Sequence, residues 1–597
     1  MSSPTPSTTP PEAQSPSFQW EESRDGVWER NIDECEKFYR LSTRKGNGCY
    51  PVTGCASFIV NSSASTINEN GDEKDRYVEN AFRKAWITLN YRHPTLRSHV
   101  EHDTDSDRWM RVYSTFQGED EEKRWLNSTF KIVDTDIEPI QWFNENSPTF
   151  EISTLFLVRE KQGKEHRQTV FLRCPHDVTD GVGILQLVDQ LFNHAALAYD
   201  QGVDYALPKW GREHERLSPC LRVAASIPES FSETQTKRFQ EIQTQNGAIY
   251  NHAGFLSLPS SSKTAVASQE GKRQRIPLSV PKPTTKKILR SCKAIAPGVS
   301  VTHVFMSALA QALSELQPQK EESYPVRYVN HSMINLRPYC QDPYKSPEHA
   351  AAAYHTVSTQ ALGIDLVVPG SAADSKNGDK LNDLPQIAVK VRDFYKAVRP
   401  VSPTDDQIML APLTFKGFMP PPDSDPHAVS EPPFCPVALS SIGNVDSMVG
   451  ASHGPFQLKN VWAASEPIGA GVAVFLGTWD GMIELSAVFD TRYHDVEYIE
   501  RFLGRILNCA CKGLGVDRHA APKQVKPVKA TENNKRKRED EETPGPRKEI
   551  SQRREARSPV RPALQERPTL GNVSRQPGKK VANNNTGGRR EEKVESE

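Results

Sequence analysis

The run Thr169-Val170-Phe171-Leu172-Arg173-Cys174 is rich in β-formers, and Ile184, Leu187, Val188 and Leu191 repeat at helical spacing shortly after it. Between them lies Pro175-His176-Asp177-Val178-Thr179-Asp180-Gly181, so the chain passes from strand to helix across a segment that carries one histidine. An Asp followed by Gly supplies a rigid turn there. A neutral imidazole with a pKa near 6.5 accepts a proton from a hydroxyl or amine at cytoplasmic pH, and such positioned transfer is worth roughly 10²–10⁴-fold in rate. His176 is therefore a candidate general base.

With 597 residues, the chain exceeds the size at which one hydrophobic core keeps growing, and two lobes with extensions are expected. After Ala520 there are 20 Lys and Arg against 12 Asp and Glu, a net +8, which leaves −9 on the first 520 residues. The body is acidic and the tail basic. No run of 18 apolar residues exists, and Met1-Ser-Ser-Pro-Thr-Pro lacks the layout of a signal peptide. The expectation is a cytoplasmic protein without a membrane span; Lys535-Arg536-Lys537-Arg538 also fits a nuclear address. The tail has no aromatic platform for stacking bases, so nucleic acid is not expected as a partner. Ten cysteines stand singly, without metal spacing, and are read as reduced and mostly buried. No metal is expected, and the sequons at Asn61 and Asn127 have no compartment in which to be used.

Along the chain, residues 1–18 are too poor in apolar surface to fold. A first lobe spans 19–208. Its opening helix is placed at Trp28–Tyr39, with a strand at Ala56–Val60. Val78, Ala81, Phe82, Ala85, Trp86 and Leu89 form one helical face ended by Pro94. Strands follow near Arg97–Glu101, Trp109–Tyr113 and Phe150–Val158. The polar, Ser-rich stretch 209–272 suits a crossover. A second lobe spans 273–515, with strands at Arg275–Val280 and Val326–Leu336 and a helix at Thr302–Leu316. Trp479-Asp480-Gly481 marks a hairpin between Val472–Thr478 and Met482–Phe489, and Val496–Leu514 is a closing helix. Pro369–Leu384 and Pro400–Phe434 read as long loops, and 516–597 as a disordered basic tail.

These landmarks resemble the chloramphenicol-acetyltransferase-like superfamily of CoA-dependent acyltransferases, which includes condensation domains and plant and fungal acyltransferases. The HxxxDG signature is met by His176, Asp180 and Gly181. Arg92-His93-Pro94-Thr95-Leu96-Arg97 resembles the stretch after the first long helix of condensation-type members. Asn335-Leu336-Arg337 falls where the family keeps an arginine that pairs with the signature aspartate. Ser440-Ser441-Ile442-Gly443-Asn444 resembles the second-lobe strand facing the catalytic histidine. The resemblance covers residues 20 to 515, and the length is most similar to the trichothecene 15-O-acetyltransferase group. The plant "DFGWG" segment is missing, and Pro175 stands where condensation domains place a second histidine.

The resemblance implies an α/β (α+β) fold of two lobes, each a mixed sheet flanked by helices, with the active site at their interface. It implies that His176 deprotonates the acceptor and that Asp180 bonds Arg337 to hold the loop. Gly181 leaves room for the backbone to approach substrate, and Ser440 or Ser441 donates to the oxyanion. Asp177 reads as a solvated neighbour. The implied co-substrate is acetyl-CoA or another acyl-CoA, with no permanently bound cofactor. The implied acceptor is the hydroxyl of a small secondary metabolite, such as a sesquiterpenoid of trichothecene type and mycotoxin character, and the enzyme is expected to be a monomer. Amide-forming N-acylation stays open. Two further readings stand beside it. Gly450-Ala451-Ser452-His453-Gly454 matches a nucleophile elbow, with Asp480 or Asp490 and His494 following in hydrolase order, although Pro455 comes at once. A non-catalytic binding protein of the same fold is the other.

Overall fold

The strand Gln168–Pro175 is buried at every position, as expected for the middle of a covered sheet. The computed structural model describes residues 17–61, 71–161, 167–252, 254–261, 271–371, 382–422, 424–428 and 433–518. Most of the expected N-terminal extension, the basic tail and Lys535–Arg538 lie outside them. Gln168–Pro175 pairs antiparallel with Pro51–Val60 on one side and Thr154–Glu160 on the other, and Phe130–Thr135 adds a parallel strand at the edge. On the far side of Pro51–Val60 comes Phe456–Ser465, from the second half of the chain, followed by Ser452–His453. The first sheet thus has six strands and draws on both the 19–208 and 273–515 stretches.

Helices Gly71–Arg92 and Gly181–Gln201 share one core with this sheet. Phe58, Phe82 and Trp86 are fully buried in it, and the ring of Phe58 lies 5.3 Å from those of Phe82 and Phe192. Such contacts add to the transfer energy of burying large apolar side chains.

A second sheet runs Val437–Asn444, Val472–Trp479, Met482–Asp490, Arg273–Val280. It packs with helices Lys282–Ile295, Val301–Ser314, Leu384–Val398 and Val496–Gly513 around a separate core. The hairpin joining Val472–Trp479 to Met482–Asp490 turns at Asp480 and Gly481, with φ of 47° and 69°, the left-handed pair that a two-residue turn requires. Trp142, Phe156, Phe171, Trp462, Phe475 and Val488 form a third cluster joining side chains of the two sheets.

Several expected elements move. Trp28–Tyr39 is not one helix: Val27–Asn31 is a strand, and the helix Glu34–Leu41 begins after Asp33, whose side chain and that of Glu36 form a capping box. Pro94–Arg97 is a 3₁₀ turn, and the next strand is His99–Asp103. The 209–272 stretch holds an 18-residue helix, Glu233–Tyr250, started by a Ser232–Gln235 capping box. Pro400–Phe434, read as loop, holds helices Asp406–Met409 and Ala411–Phe418. Among the described residues no helix is long and apolar enough to cross a membrane. All ten cysteines are free and buried.

Candidate active site

Pro175 ends its strand opposite Pro51, and the His176 amide donates to the Tyr50 carbonyl at 2.7 Å, so the ladder holds the histidine backbone where pairing stops. Four residues later Asp180 caps the helix Gly181–Gln201. Its carboxylate accepts from the Val182 and Gly183 amides at 3.0 and 2.9 Å. The same carboxylate takes Arg337 Nη1 on both oxygens at 2.6 and 2.5 Å, and accepts the Tyr354 amide at 3.0 Å. Arg337 continues through Nη2 to the Ala352 carbonyl at 2.6 Å. Burial opposes the ionised carboxyl, but Arg337 and His355 outweigh it and hold Asp180 well below the usual carboxylate range.

Asp180 and Arg337 therefore meet, joining parts of the chain 157 residues apart. The glycine beside them with the tightest surroundings is Gly183. A Cβ there would lie 2.3 Å from the Ala350 carbonyl and 2.6 Å from Arg337 Nη2. At Gly181 a Cβ would meet Ile442 Cδ1 at 3.1 Å, the end of a side chain from the second sheet.

Asp177 is not solvated. It is buried, and Arg111 Nη2 donates to both its carbonyl and its carboxylate at 2.8 Å. Arg111 Nε also reaches Glu36 at 3.0 Å, and Glu36 receives two bonds from Arg30 at 2.7 Å. Burial pushes Glu36 up, but Arg30 and Arg111 bring it down to about 2. An ionic network thus anchors the loop carrying His176 to the opening helix.

That helix also supplies Tyr39, which no sequence signal marked. Its ring stacks on the His176 imidazole with centroids 3.9 Å apart and planes 4° from parallel. The Tyr39 hydroxyl lies 2.7 Å from His355 Nε2, and His355 Nδ1 lies 3.6 Å from Asp180. The imidazole is enclosed by Tyr39, Tyr50 and His355, with Tyr50 and His355 centroids at 5.9 and 5.7 Å. Burial disfavours the imidazolium and His355 adds to this, so the His176 pKa falls to about 3. At neutral pH the ring is uncharged. Its Nδ1 has no hydrogen-bond partner among the described residues.

Ser440 and Ser441 separate. Ser441 Oγ lies 2.8 Å from Thr302 Oγ1, and Ser441 lines a cavity with Ser300, Thr302 and His303. The strand pleat places Ser440 on the opposite face from its neighbours Leu439 and Ser441. Ser452 heads a two-residue strand that turns at Gly454, with φ of 51°, into Phe456–Ser465. No helix follows it, so the nucleophile-elbow geometry is not met there. His453 is held by Asn193 and the Gly450 carbonyl, both at 3.0 Å. Among the described residues no group of three or more His, Cys, Asp or Glu is placed to hold a metal.

No protein-family model matches the chain. The fold matches the TRI3 trichothecene 15-O-acetyltransferase from Fusarium sporotrichioides with a TM-score of 0.65 at 14% identity, over 83% of this chain and 98% of that one. It matches the first condensation domain of the CDA synthetase with a TM-score of 0.52 at 11% identity, over 83% and 98%. Two curated proteins of Monascus ruber are similar in sequence. The acetyltransferase pigO is 23% identical over 505 residues, 83% of this chain and 98% of its own. The O-acetyltransferase pigM is 23% identical over 515 residues, 83% of this chain and 88% of its own. The chain thus has the fold of the TRI3 acetyltransferase and of the condensation domain. In sequence it is similar to the two Monascus acetyltransferases over 83% of its length.

Proposed function

We propose that the protein moves an acetyl group from acetyl-CoA to a hydroxyl of a small fungal secondary metabolite, with His176 as the base. The observation that carries this reading is the imidazole of His176, enclosed, stacked on Tyr39 and kept neutral by burial, beside an aspartate already committed to Arg337. A ring nitrogen takes the acceptor O–H proton as the oxygen adds to the thioester carbonyl. The tetrahedral adduct then collapses, the C–S bond breaks, and the imidazolium returns the proton to the departing thiolate. No acyl-enzyme is required. A buried imidazolium is costly, and the adjacent oxyanion offsets it as both charges form together.

In this reading Asp180, Gly183 and Arg337 fix the loop without touching the acceptor. Tyr39 and His355 hold the imidazole plane. Ser440, rather than the Thr302-bonded Ser441, is the second-lobe candidate for the oxyanion. Support for an O-linked product comes from the similarity to pigM and to TRI3, which are named as O-acetyltransferases. The test incubates purified protein with acetyl-CoA and a panel of hydroxylated sesquiterpenoids, polyketide alcohols and primary amines. Free thiol and product mass are followed together. An ester product supports the proposal; amide products alone replace it with N-acylation, and no acceptor-dependent thiol release with any of them counts against it.

A further inference from the structure

A second feature sits on the same pair of strands, one step from His176. A cavity of about 280 Å³ is walled by Pro51 and Thr53 of one strand and Cys49 just before it, Arg173 of the next strand, and Arg273 and Arg275 of the second sheet. Phe143, Phe150, Ala464 and Val488 give it an apolar side. Arg173 is 6% exposed. Its Nη1 donates to the Pro148 carbonyl at 2.6 Å, and its guanidinium lies 4.6 Å from the Phe150 ring centroid. Its partners are thus a neutral carbonyl and a ring, and no carboxylate lies within ion-pair distance among the described residues. Burial lowers its pKa, and Glu466 only partly restores it.

The other two guanidiniums are also incompletely paired. Arg275 bonds Glu484 through Nη2 and stacks 3.9 Å from the centroid of Trp462. Arg273 Nη1 donates to the Gly469 carbonyl at 3.2 Å and is 3.4 Å from Asp490, its Nη2 lies 3.1 Å from His427 Nδ1, and only its Nε, 3.7 Å from Glu466, is beyond hydrogen-bond reach. The Nε atoms of Arg173, Arg273 and Arg275 are all buried without a partner among the described residues. Those three Nε atoms are sealed from the cavity, so it is the Nη ends of these guanidiniums that are open to a ligand acceptor, and Arg173 has no carboxylate of its own there. Arg44 and Lys272 add positive charge at the rim, against Glu145 and Glu466.

Building on the acyl-transfer reading, we infer that this cavity is an anion-binding subsite that holds a carboxylate of the acceptor. A planar guanidinium fork matches a carboxylate, and the apolar wall suits a carbon skeleton behind it. The helix Pro139–Asn146 presents Phe143, Asn144 and Glu145 of its C-terminal half to the cavity, the negative end of its dipole, which disfavours a doubly charged phosphate more than a carboxylate. Arg173 precedes His176 by three residues of extended chain, about 10 Å. Tyr50 stands between, its hydroxyl on the Glu466 carbonyl and its ring beside His176.

Calorimetric titration of the full-length protein with 8-hydroxyoctanoate and its methyl ester tests this without requiring turnover. CoA and pantetheine are titrated on the same samples, and thiol release from acetyl-CoA is measured separately, so failure of the subsite and failure of the acyl-transfer reading give different patterns. Wild type is expected to bind the acid at least 10-fold more tightly than the ester. Arg173→Gln should erase that preference while CoA affinity stays within twofold. Equal binding of acid and ester by wild type, or no measurable binding of the acid, overturns the proposal. So does a preference that survives in a folded R173Q protein. Loss of CoA affinity with pantetheine unaffected assigns the cluster to the phosphates of the co-substrate, which also overturns it. Should R173Q not fold, the partly exposed R44Q and K272Q decide: the preference narrows severalfold in one of them, or the inference is wrong.

Discussion

Asp180 serves three partners with one carboxylate: the first amides of its own helix, the guanidinium of Arg337 and the amide of Tyr354. Removing it leaves Arg337 buried with carbonyl partners only. Asp180→Ala is expected to cost about 3–5 kcal/mol, the range for breaking one side of a buried ion pair. Asp180→Asn, which keeps an acceptor for the cap, should cost less; urea denaturation of both variants measures this, and equal losses would deny the capping share. Tyr39 acts differently, through the face of His176 and through its hydroxyl on His355. Tyr39→Phe keeps the stacked ring and loses the hydroxyl, so the expected result is a severalfold fall in kcat with KM and melting temperature nearly unchanged. A change confined to KM would mean that Tyr39 contacts substrate instead. Gly183→Ala should disrupt the fold outright, because its Cβ would lie 2.3 Å from the Ala350 carbonyl.

At the level of elements, Phe456–Ser465 is the segment that ties the two halves of the chain together. It pairs with Pro51–Val60, the strand that also supports Gln168–Pro175 and therefore His176. Phe456 is fully buried against Phe58 and Phe82. Phe456→Ala should cost about 3–5 kcal/mol, read by urea denaturation, and the transferase activity should decline with it if this strand positions the site. The strand-to-helix step at His176, the Asp-Gly hairpin and the terminal helix were legible because their signals are local: alternation, helical spacing and turn chemistry. The place of Phe456–Ser465 was not, since nothing local says which sheet accepts a buried strand. Tyr39 and His355 meet across 316 residues, and neither carries a motif. Asp177 looked solvated because its neighbours in sequence are not its neighbours in space; Arg111 arrives from another strand. The helix Glu233–Tyr250 buries only Ile242 and Asn246, so its hydrophobic pattern is faint, though the Ser232–Gln235 capping box was there to read.

The whole molecule stores a set of neutral buried histidines. Burial lowers His93 and His494 to about 4 and His176 to about 3. In the unfolded chain each titrates near 6.5, so below that pH the unfolded state binds protons that the folded state refuses. Stability therefore falls as pH drops from about 6.5 towards 4, by at most about 1.4 kcal/mol per pH unit for each such group. Asp33, raised to about 6 by burial and Glu36, works in the opposite direction, as does the raised Glu466. The histidines outnumber them, and the urea midpoint is expected to be lower at pH 5 than at pH 7; an equal or higher midpoint at pH 5 would contradict this balance.

Both lobes, the ionic network around Glu36 and the Asp180–Arg337 pair converge on one uncharged imidazole. The decisive measurement is kcat/KM for acetyl transfer from acetyl-CoA by wild type and His176→Ala, with circular dichroism of both to verify the fold. A loss of at least roughly 10²-fold in a folded variant is predicted from removing a positioned base. Transfer within twofold of wild type in that variant would contradict the account.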